Sequence, residues 1–187
     1  MNILLTGHRG FIGSRLLNAL NLNHKVTGID LVDGDDLLTC ELPNVDFDLI
    51  IHLAGRSGVR ESIKDPAAYW MNNIEVSRRL FERYENTRIL YASSSSAYEP
   101  DLNPYAASKF VLEELAERYP NTLGMRFHTV WPGRDDMLYK KLERGEVTYI
   151  NANHHRDWIH VDDLCNAIWK IMINFPNIVE RVLDIGT

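Results

Sequence analysis

The sequence lacks the features that mark membrane, secreted and nucleic-acid-binding proteins. No apolar run reaches the roughly 18 residues that a membrane-spanning helix needs, and the N-terminus enters a strand-like segment without a signal peptide. Its two cysteines, Cys40 and Cys165, have no metal-like spacing and predict free thiols in a reducing compartment. The net charge of −6 disfavours nucleic acid as the main partner. We therefore expect a cytoplasmic protein with no membrane or nucleic-acid partner.

Repeats, low-complexity tracts and linkers are also missing, and short apolar runs alternate with helical patterns along the whole chain. This alternation is typical of β-α-β units around a parallel sheet. The apolar runs predict strands at 2–6, 25–30, 37–40, 48–54, 88–92, 123–130 and 182–185. The helical patterns predict helices at 11–22, from Pro66 through Phe81, from Pro104 to before Pro120, and at 136–144 and 161–175. The 187 residues thus predict one α/β domain with a doubly wound parallel sheet.

A glycine-rich turn, GxxGxxG, joins the first predicted strand to the first helix. Gly7 permits the tight turn, Gly10 lets backbone N–H groups approach a pyrophosphate, and Gly13 lets the helix pack close to the strand. Asp30 ends the next strand, where a carboxylate accepts hydrogen bonds from an adenosine ribose and repels a 2′-phosphate. Arg9, inside the turn, is either a surface residue or a group that serves a 2′-phosphate. The pattern predicts NAD as cofactor, with NADP as the weaker alternative.

Tyr105 and Lys109 are four residues apart in a predicted helix and therefore project from one face. Free tyrosine has a pKa of about 10, and a nearby ammonium together with the positive charge of an oxidised nicotinamide favours the phenolate. A tyrosine tuned in this way acts as a general base near neutral pH. The pair follows a run of four serines, 93–96, at the carboxyl end of a strand, where cofactors bind in such sheets. One of these serines is a candidate donor to a substrate oxygen, unless the run only satisfies the loop backbone.

Taken together, several segments resemble the extended short-chain dehydrogenase/reductases, in the NAD-dependent nucleotide-sugar epimerase/dehydratase group. They cover nearly the whole chain and are TGHRGFIG (6–13), IHLAG (51–55), NNIEVS (72–77), YASSSSAY (91–98), PYAASK (104–109), RFHTVWPG (126–133) and RDWIHVDDL (156–164). The resemblance implies a Rossmann fold, bound NAD, a nucleotide-sugar substrate and a homodimer formed through the helices at 66–81 and 104–119.

The resemblance also implies roles for residues in matching positions. The catalytic set would be Ser94, found by counting back from Tyr98, with Tyr105 and Lys109. The cofactor would be contacted by Gly7, Arg9, Gly10, Phe11, Ile12, Gly13, Asp30, Glu41, Leu42, Leu53, Ala54, Gly55, Tyr105 and Lys109. Within that set Glu41 and Leu42 are the adenine-contacting pair, and Asp35 with Asp36 is a competing alignment. The substrate would be contacted by Ser94, Ser95, His128 and Arg156, and Asn73 would be structural.

The chain departs from the family pattern in several places. Only eleven positions separate Ser94 from Tyr105, so the intervening loop is short for the family. His128 stands where an asparagine that touches the substrate phosphate is usual. The chain stops at Thr187, before most of the usual substrate lobe. We therefore expect a single NAD-binding Rossmann domain over 1–187 with a vestigial C-terminal substrate lobe, in which 132–160 form a reduced substrate-binding segment.

The serine run narrows the expected reaction. The family's 4,6-dehydratases carry an Asp–Glu pair after the catalytic threonine, and this chain has Ser95 and Ser96 there. The resemblance thus favours an NAD-dependent nucleotide-sugar C4 epimerase. A reductase or dehydrogenase of another alcohol or keto-sugar and a non-catalytic dinucleotide-binding module stay open as alternatives. No metal is expected, because adjacent side chains such as His154 and His155 point apart and make poor ligands, even with His160 nearby.

Overall fold

The computed structural model describes residues 1–134, 137–149 and 156–186. In these residues a six-stranded sheet has the order β2-β1-β3-β4-β5-β8, and every neighbouring pair is parallel. The strands are β1 (Asn2–Thr6), β2 (Lys25–Ile29), β3 (Leu49–His52), β4 (Arg88–Ser94), β5 (Thr122–Phe127) and β8 (Val182–Ile185). The predicted doubly wound Rossmann sheet is confirmed. Its strand order reverses between β1 and β3, and such a reversal opens a crevice at the carboxyl ends of the strands.

Helices cover both faces of the sheet. They are α1 (Phe11–Leu20), α2 (Val59–Lys64), α3 (Pro66–Trp70), α4 (Val76–Arg83), α5 (Pro104–Ala116), α6 (Leu138–Glu143) and α7 (Val161–Asn174). Helices α1 and α7 pack on one face, and α4 and α5 pack on the other. Over the described ranges, no helix combines the length and apolar character needed to cross a bilayer.

The two-sided packing explains why β3 is continuously apolar. Successive side chains of a strand point to opposite faces. Leu49 and Ile51 accordingly join the core under α1 and α7, while Ile50 joins the core under α4 and α5. All three are almost fully buried. A strand covered on both faces has no solvent side, and this accounts for its lack of polar alternation.

The strand predicted at 37–40 is wrong. These residues form turns, in which Asp36 organises the backbone: its carbonyl accepts from the N–H groups of Thr39 and Cys40, and its carboxylate accepts from Leu38 N at 2.9 Å. An aspartate that accepts from the backbone two residues on favours a turn over a strand. The side chains of Leu37 and Leu38 still pack against the core.

Two other predicted elements are divided in the structure. The run at 123–130 ends as β5 at Phe127 and restarts as β6 (Thr129–Trp131), which pairs in parallel with β7 (Trp158–His160) in a separate two-stranded sheet. The helix predicted from Pro66 is interrupted by a π-helical turn at Met71–Glu75, between α3 and α4. Such turns widen a helix locally and often occur at functional sites.

Candidate active site

The turn between β1 and α1 is built so tightly that it requires glycine. Gly7 has a φ of +73° and donates its N–H to Ile29 O at 2.9 Å. A Cβ added to Gly7 would lie 2.6 Å from Ala54 N, and one added to Gly13 would lie 2.0 Å from Gly7 O. Gly10 caps α1 without a side-chain hydrogen bond, and the first turn of the helix carries no acidic residue. The uncapped N–H groups and the positive end of the helix dipole suit a pyrophosphate.

This turn opens into a cleft of about 280 Å³ at the carboxyl ends of β1, β2 and β3. Of the predicted cofactor contacts, the cleft is lined by Gly7, Arg9, Gly10, Asp30, Leu53, Ala54 and Gly55. Phe11, Ile12 and Gly13 form the adjoining first turn of α1. The cleft also reaches towards the predicted catalytic residues, since a Cβ on Gly55 would lie 3.8 Å from Lys109 Nζ. Its glycine-lined wall and its position at the N-terminus of α1 therefore fit the pyrophosphate of a dinucleotide.

Asp30 lies where an adenosine ribose would be bound. Its Oδ2 accepts from Arg9 N at 2.8 Å and its Oδ1 accepts from Val32 N at 3.0 Å, so the carboxylate is fixed at the end of β2. The Arg9 side chain, for which the sequence left two roles, is ion-paired with Asp33. That guanidinium holds the pKa of the Asp33 carboxyl below its usual range.

Of the two pairs predicted to contact adenine, only the alternative pair lines the cleft. Leu42 is buried in the core, and Glu41 lies with it along a separate groove beside α4. The alternative pair, Asp35 and Asp36, lines the cleft that Asp30 closes. The structure therefore favours the competing alignment, because the turns at 37–40 carry the chain away from the cleft before it reaches Glu41.

Ser94, Tyr105 and Lys109 come together at the far end of this cleft. Ser94 ends β4, and Tyr105 and Lys109 lie on successive turns of α5. The Ser94 hydroxyl hydrogen-bonds the Tyr105 phenol, and the buried Lys109 amine donates to Ala92 O at 2.8 Å. The Tyr105 ring also packs edge-on against Tyr69, with 6.2 Å between ring centroids. The geometry places a hydroxyl against a phenol, with a buried amine on the next turn of the same helix.

The electrostatics bear on the predicted phenolate, for which both Lys109 and an oxidised nicotinamide were expected to act. In the chain alone, burial raises the pKa of Tyr105, while the Ser94 hydrogen bond and the positive charge of Arg134 oppose that rise. Burial also lowers the pKa of Lys109 to about 8, against the attraction of Glu113. Lys109 therefore does not suffice to produce a phenolate. The remaining stabilisation has to come from a positive charge bound in the cleft, such as the oxidised nicotinamide.

Two buried side chains brace this centre from behind. Asn73 in the π-helical turn accepts from Arg56 N at 2.7 Å and donates to Ser108 Oγ at 2.9 Å, which ties the loop after β3 to α5. Glu113, one turn beyond Lys109, accepts from Ser93 Oγ and pairs with Arg126 at 2.6 Å. Sequence reasoning missed Glu113, although its spacing of four from Lys109 places both on one helix face.

The predicted substrate contacts are more dispersed. Ser95 begins the 3₁₀ turn after Ser94, and Arg156 is exposed just before β7. His128 has Nδ1 3.2 Å from Asp157 and Nε2 3.3 Å from Asp184. Both its ring nitrogens thus face carboxylates, and a direct contact with a substrate phosphate would have to displace one of them.

Arg134 belongs to the site although the sequence did not mark it. Its guanidinium donates to Ser57 Oγ, and its charge opposes the rise in pKa that burial imposes on both Tyr69 and Tyr105. No group of three or more His, Cys, Asp or Glu side chains in the described ranges is arranged to hold a metal ion. His154 and His155 lie outside those ranges, and so do parts of the 132–160 segment.

Comparison with known proteins gives a consistent set of relatives. The sequence profile of the NAD dependent epimerase/dehydratase family matches residues 3–186. Protein CapI of Staphylococcus aureus is 30% identical, over 92% of this chain and 69% of that protein. UDP-glucuronate 4-epimerase 4 of Arabidopsis thaliana is 29% identical, over 88% of this chain and 52% of that protein.

The fold also matches a solved structure over its whole length. The crystal structure of a UDP-glucuronic acid 4-epimerase variant from Bacillus cereus, in complex with UDP-4-deoxy-4-fluoro-glucuronic acid and NAD, superposes with a TM-score of 0.84. The two sequences are 28% identical, and the match covers 100% of this chain and 77% of that one.

Proposed function

The chain belongs to the NAD-dependent epimerase/dehydratase family, and from this we propose that it is an NAD-dependent nucleotide-sugar 4-epimerase. One observation carries the proposal: the Ser94 hydroxyl hydrogen-bonds the Tyr105 phenol, and Lys109, on the next turn of α5, lies close to Gly55 at the end of the glycine-lined cleft. A dinucleotide laid along that cleft from Asp30 would have its other end at Gly55, next to Lys109. A module that only bound a dinucleotide would not need a buried phenol at that end of the cleft.

The roles of the three side chains follow from their chemistry. Tyr105 accepts the proton of the sugar C4 hydroxyl, and Ser94 hydrogen-bonds the reacting oxygen. Lys109 holds a positive charge behind them and donates to the nicotinamide ribose. The bound NAD supplies the hydride acceptor and, in the reverse step, the hydride donor. Tyr105 then returns the proton after the other face of the sugar has been presented, so the net change is inversion at C4.

The charge of the site points to an acidic sugar. Arg134 places a guanidinium within electrostatic reach of the Tyr105 phenol. The carboxylate of a hexuronate is attached at C5, next to the C4 carbon that reacts, and a guanidinium binds a carboxylate through two parallel hydrogen bonds. Relatives in Arabidopsis thaliana and Bacillus cereus are UDP-glucuronate 4-epimerases by name. We therefore propose a UDP-linked hexuronate as the substrate.

Direct turnover tests this proposal. The protein is incubated with NAD⁺ and a panel of UDP-, GDP- and dTDP-linked hexoses and with UDP-glucuronate, and the sugar is followed by NMR. We expect interconversion of the C4 epimers of UDP-glucuronate, lost in Tyr105→Phe. Arg134→Met should raise KM for UDP-glucuronate at least tenfold and leave KM for neutral hexoses unaffected, while kcat falls for both because Tyr105 loses a nearby positive charge. Bound NAD without change in any sugar would favour the alternatives, a reductase of another alcohol or a binding module.

We also propose a homodimer formed through the α3–α4 segment and α5. Trp70 and Met71 are 49% and 43% exposed at the end of α3, and Phe110 is 40% exposed on α5. Large apolar side chains exposed on neighbouring helices are typical of an interface. Light scattering coupled to gel filtration should give twice the mass of the chain, and Trp70→Glu should give the monomer. A wild type that stays monomeric at high concentration would contradict this.

A further inference from the structure

An arginine and an aspartate are locked together at the ribose end of the cleft. Arg9 Nε donates to both oxygens of Asp33, at 2.9 and 3.1 Å, and Nη2 donates to Oδ1 at 2.7 Å. The same carboxylate lies 2.9 Å from His8 Nε2. Asp33 is thus held from two sides. A guanidinium gripped by two of its donors has fewer of them left for a ligand.

The pair lies where the adenosine ribose is expected. Arg9 lines the cleft, and its backbone N–H donates to Asp30, the proposed ribose ligand. Asp33 ends the 3₁₀ turn (Leu31–Asp33) that the Asp30 carboxylate caps. The Arg9 side chain is 56% exposed and lines the cleft, so a bound cofactor would meet its guanidinium, while Asp33, 29% exposed, pairs with it from outside the cleft lining. Arg9 and Asp30 therefore face the part of a dinucleotide that distinguishes NAD from NADP.

His8 fixes Asp33 without cancelling its charge. The His8 ring is buried against Gly28, where a Cβ would lie 2.6 Å from the ring, and within the described residues its Nδ1 has no hydrogen-bond partner. A proton on Nδ1 would be buried without an acceptor, which is costly. The neutral ring with its proton on Nε2, donated to Asp33, satisfies the geometry.

We propose that Asp33 is a specificity-determining residue for the cofactor: it occupies the Arg9 guanidinium and so makes the cleft accept a 2′-hydroxyl and reject a 2′-phosphate. The inference rests on the proposed NAD site. With Asp33 in place, a 2′-phosphate would meet the Asp30 carboxylate and an arginine already neutralised. Without it, Arg9 is released to bind the phosphate as a planar fork, and Asp30 alone opposes NADP.

Asp33→Asn tests this, because it keeps the size of the side chain and removes its charge. Asp35→Asn is the matched control, since Asp35 lines the same cleft and, in the described part of the chain, forms no ion pair with Arg9. Dissociation constants for NADH and NADPH are measured by the fluorescence of the bound nicotinamide. We expect Asp33→Asn to tighten NADPH about tenfold with NADH changed less than twofold. Adding Arg9→Gln to Asp33→Asn should abolish the gain.

The outcomes separate this inference from the reaction itself. If Asp33→Asn and Asp35→Asn lowered the dissociation constant for NADPH equally, the effect would be due to net charge, and the role of the Arg9 contact would be overturned. Unchanged NADPH binding in Asp33→Asn, with NADH still bound, would also overturn it. If the wild-type protein bound neither NADH nor NADPH, both the proposed cofactor site and this inference would be contradicted. Because binding is measured without turnover, an inactive protein that binds NADH still gives a valid result.

Discussion

Replacing Lys109, the proposed catalytic lysine, should make the protein more stable. Lys109 is 6% exposed, and its pKa is lowered to about 8 because burial disfavours the charged amine. The unfolded chain carries a lysine with a pKa of about 10.4. At neutral pH the Lys109 amine is therefore protonated in both states, but its proton is bound more weakly in the folded state than in the unfolded chain. Lys109→Met removes that charge and keeps a flexible side chain of similar length.

The size of the expected stabilisation follows from the difference between the pKa of Lys109 in the folded and unfolded states. A displacement of roughly 2.5 pKa units corresponds to about 3 kcal/mol at 1.36 kcal/mol per unit. Against this, the substitution leaves Ala92 O without the amine donor, at a cost of about 1 kcal/mol. We expect the free energy of unfolding to rise by about 2 kcal/mol at pH 7, while epimerase activity is lost.

The pH dependence provides the sharper test. Between pH 8 and pH 10.4 the folded state has released the Lys109 proton and the unfolded state still binds it. The wild-type free energy of unfolding therefore rises with pH in this range, as far as Lys109 determines it. The gain from Lys109→Met should be full at pH 7 and largely gone at pH 10, as measured by urea unfolding without added dinucleotide. Lys64→Met, at an exposed lysine, should change stability by less than about 0.5 kcal/mol at either pH. A less stable Lys109→Met at pH 7, or a gain that persists at pH 10, would refute the reasoning.

Three further substitutions probe the centre and its supports. Ser94→Ala should lower kcat about a hundredfold, measured by NMR on the proposed substrate, because a hydrogen bond to the reacting oxygen is lost. Glu113→Gln should lower the free energy of unfolding by about 2 kcal/mol in urea, since it removes the charged partner of the partly buried Arg126 and leaves that guanidinium only its longer ion pair with Asp184 and its contact with Tyr98 among the described residues; Glu117→Gln, at an exposed carboxylate, is its control and should change little. Gly13→Ala should abolish NADH binding, because its Cβ would collide with the backbone of the glycine turn. An NADH-binding Gly13→Ala would show that the turn can adjust.

The local parts of the fold could be predicted from the sequence. The glycine turn constrains its own neighbours, and the spacing of Tyr105 and Lys109 fixes their direction once a helix is assumed. The strand prediction at 37–40 failed because apolar content cannot distinguish a strand from a turn whose leucines reach the core. The backbone there follows the hydrogen bonds of Asp36, which hydrophobicity does not describe.

The residues that sequence reasoning missed meet through tertiary structure. Glu113 on α5 finds Arg126 on β5 only when the helix packs on the sheet. Arg134 reaches the phenol from a segment that follows β6. The direction of the Tyr105 pKa shift likewise depends on how deeply α5 is buried. The spacing of two residues within one helix or strand can be read from the sequence. The desolvation of a side chain and the contacts between elements cannot.

The two-stranded sheet of β6 and β7 makes the region between them an exchangeable insert. Thr129 pairs with Trp158 and Trp131 with His160 in a parallel ladder, so the two ends of 132–157 are fixed at opposite ends of that ladder, about 8 Å apart. Val161, buried at the start of α7, anchors the second end in the core. Because the ends are already closed, doubling the insert would cost only about 0.6 kcal/mol. Evolution can therefore lengthen, shorten or replace the insert, and with it the proposed contacts to the substrate, while the proposed catalytic centre keeps its geometry.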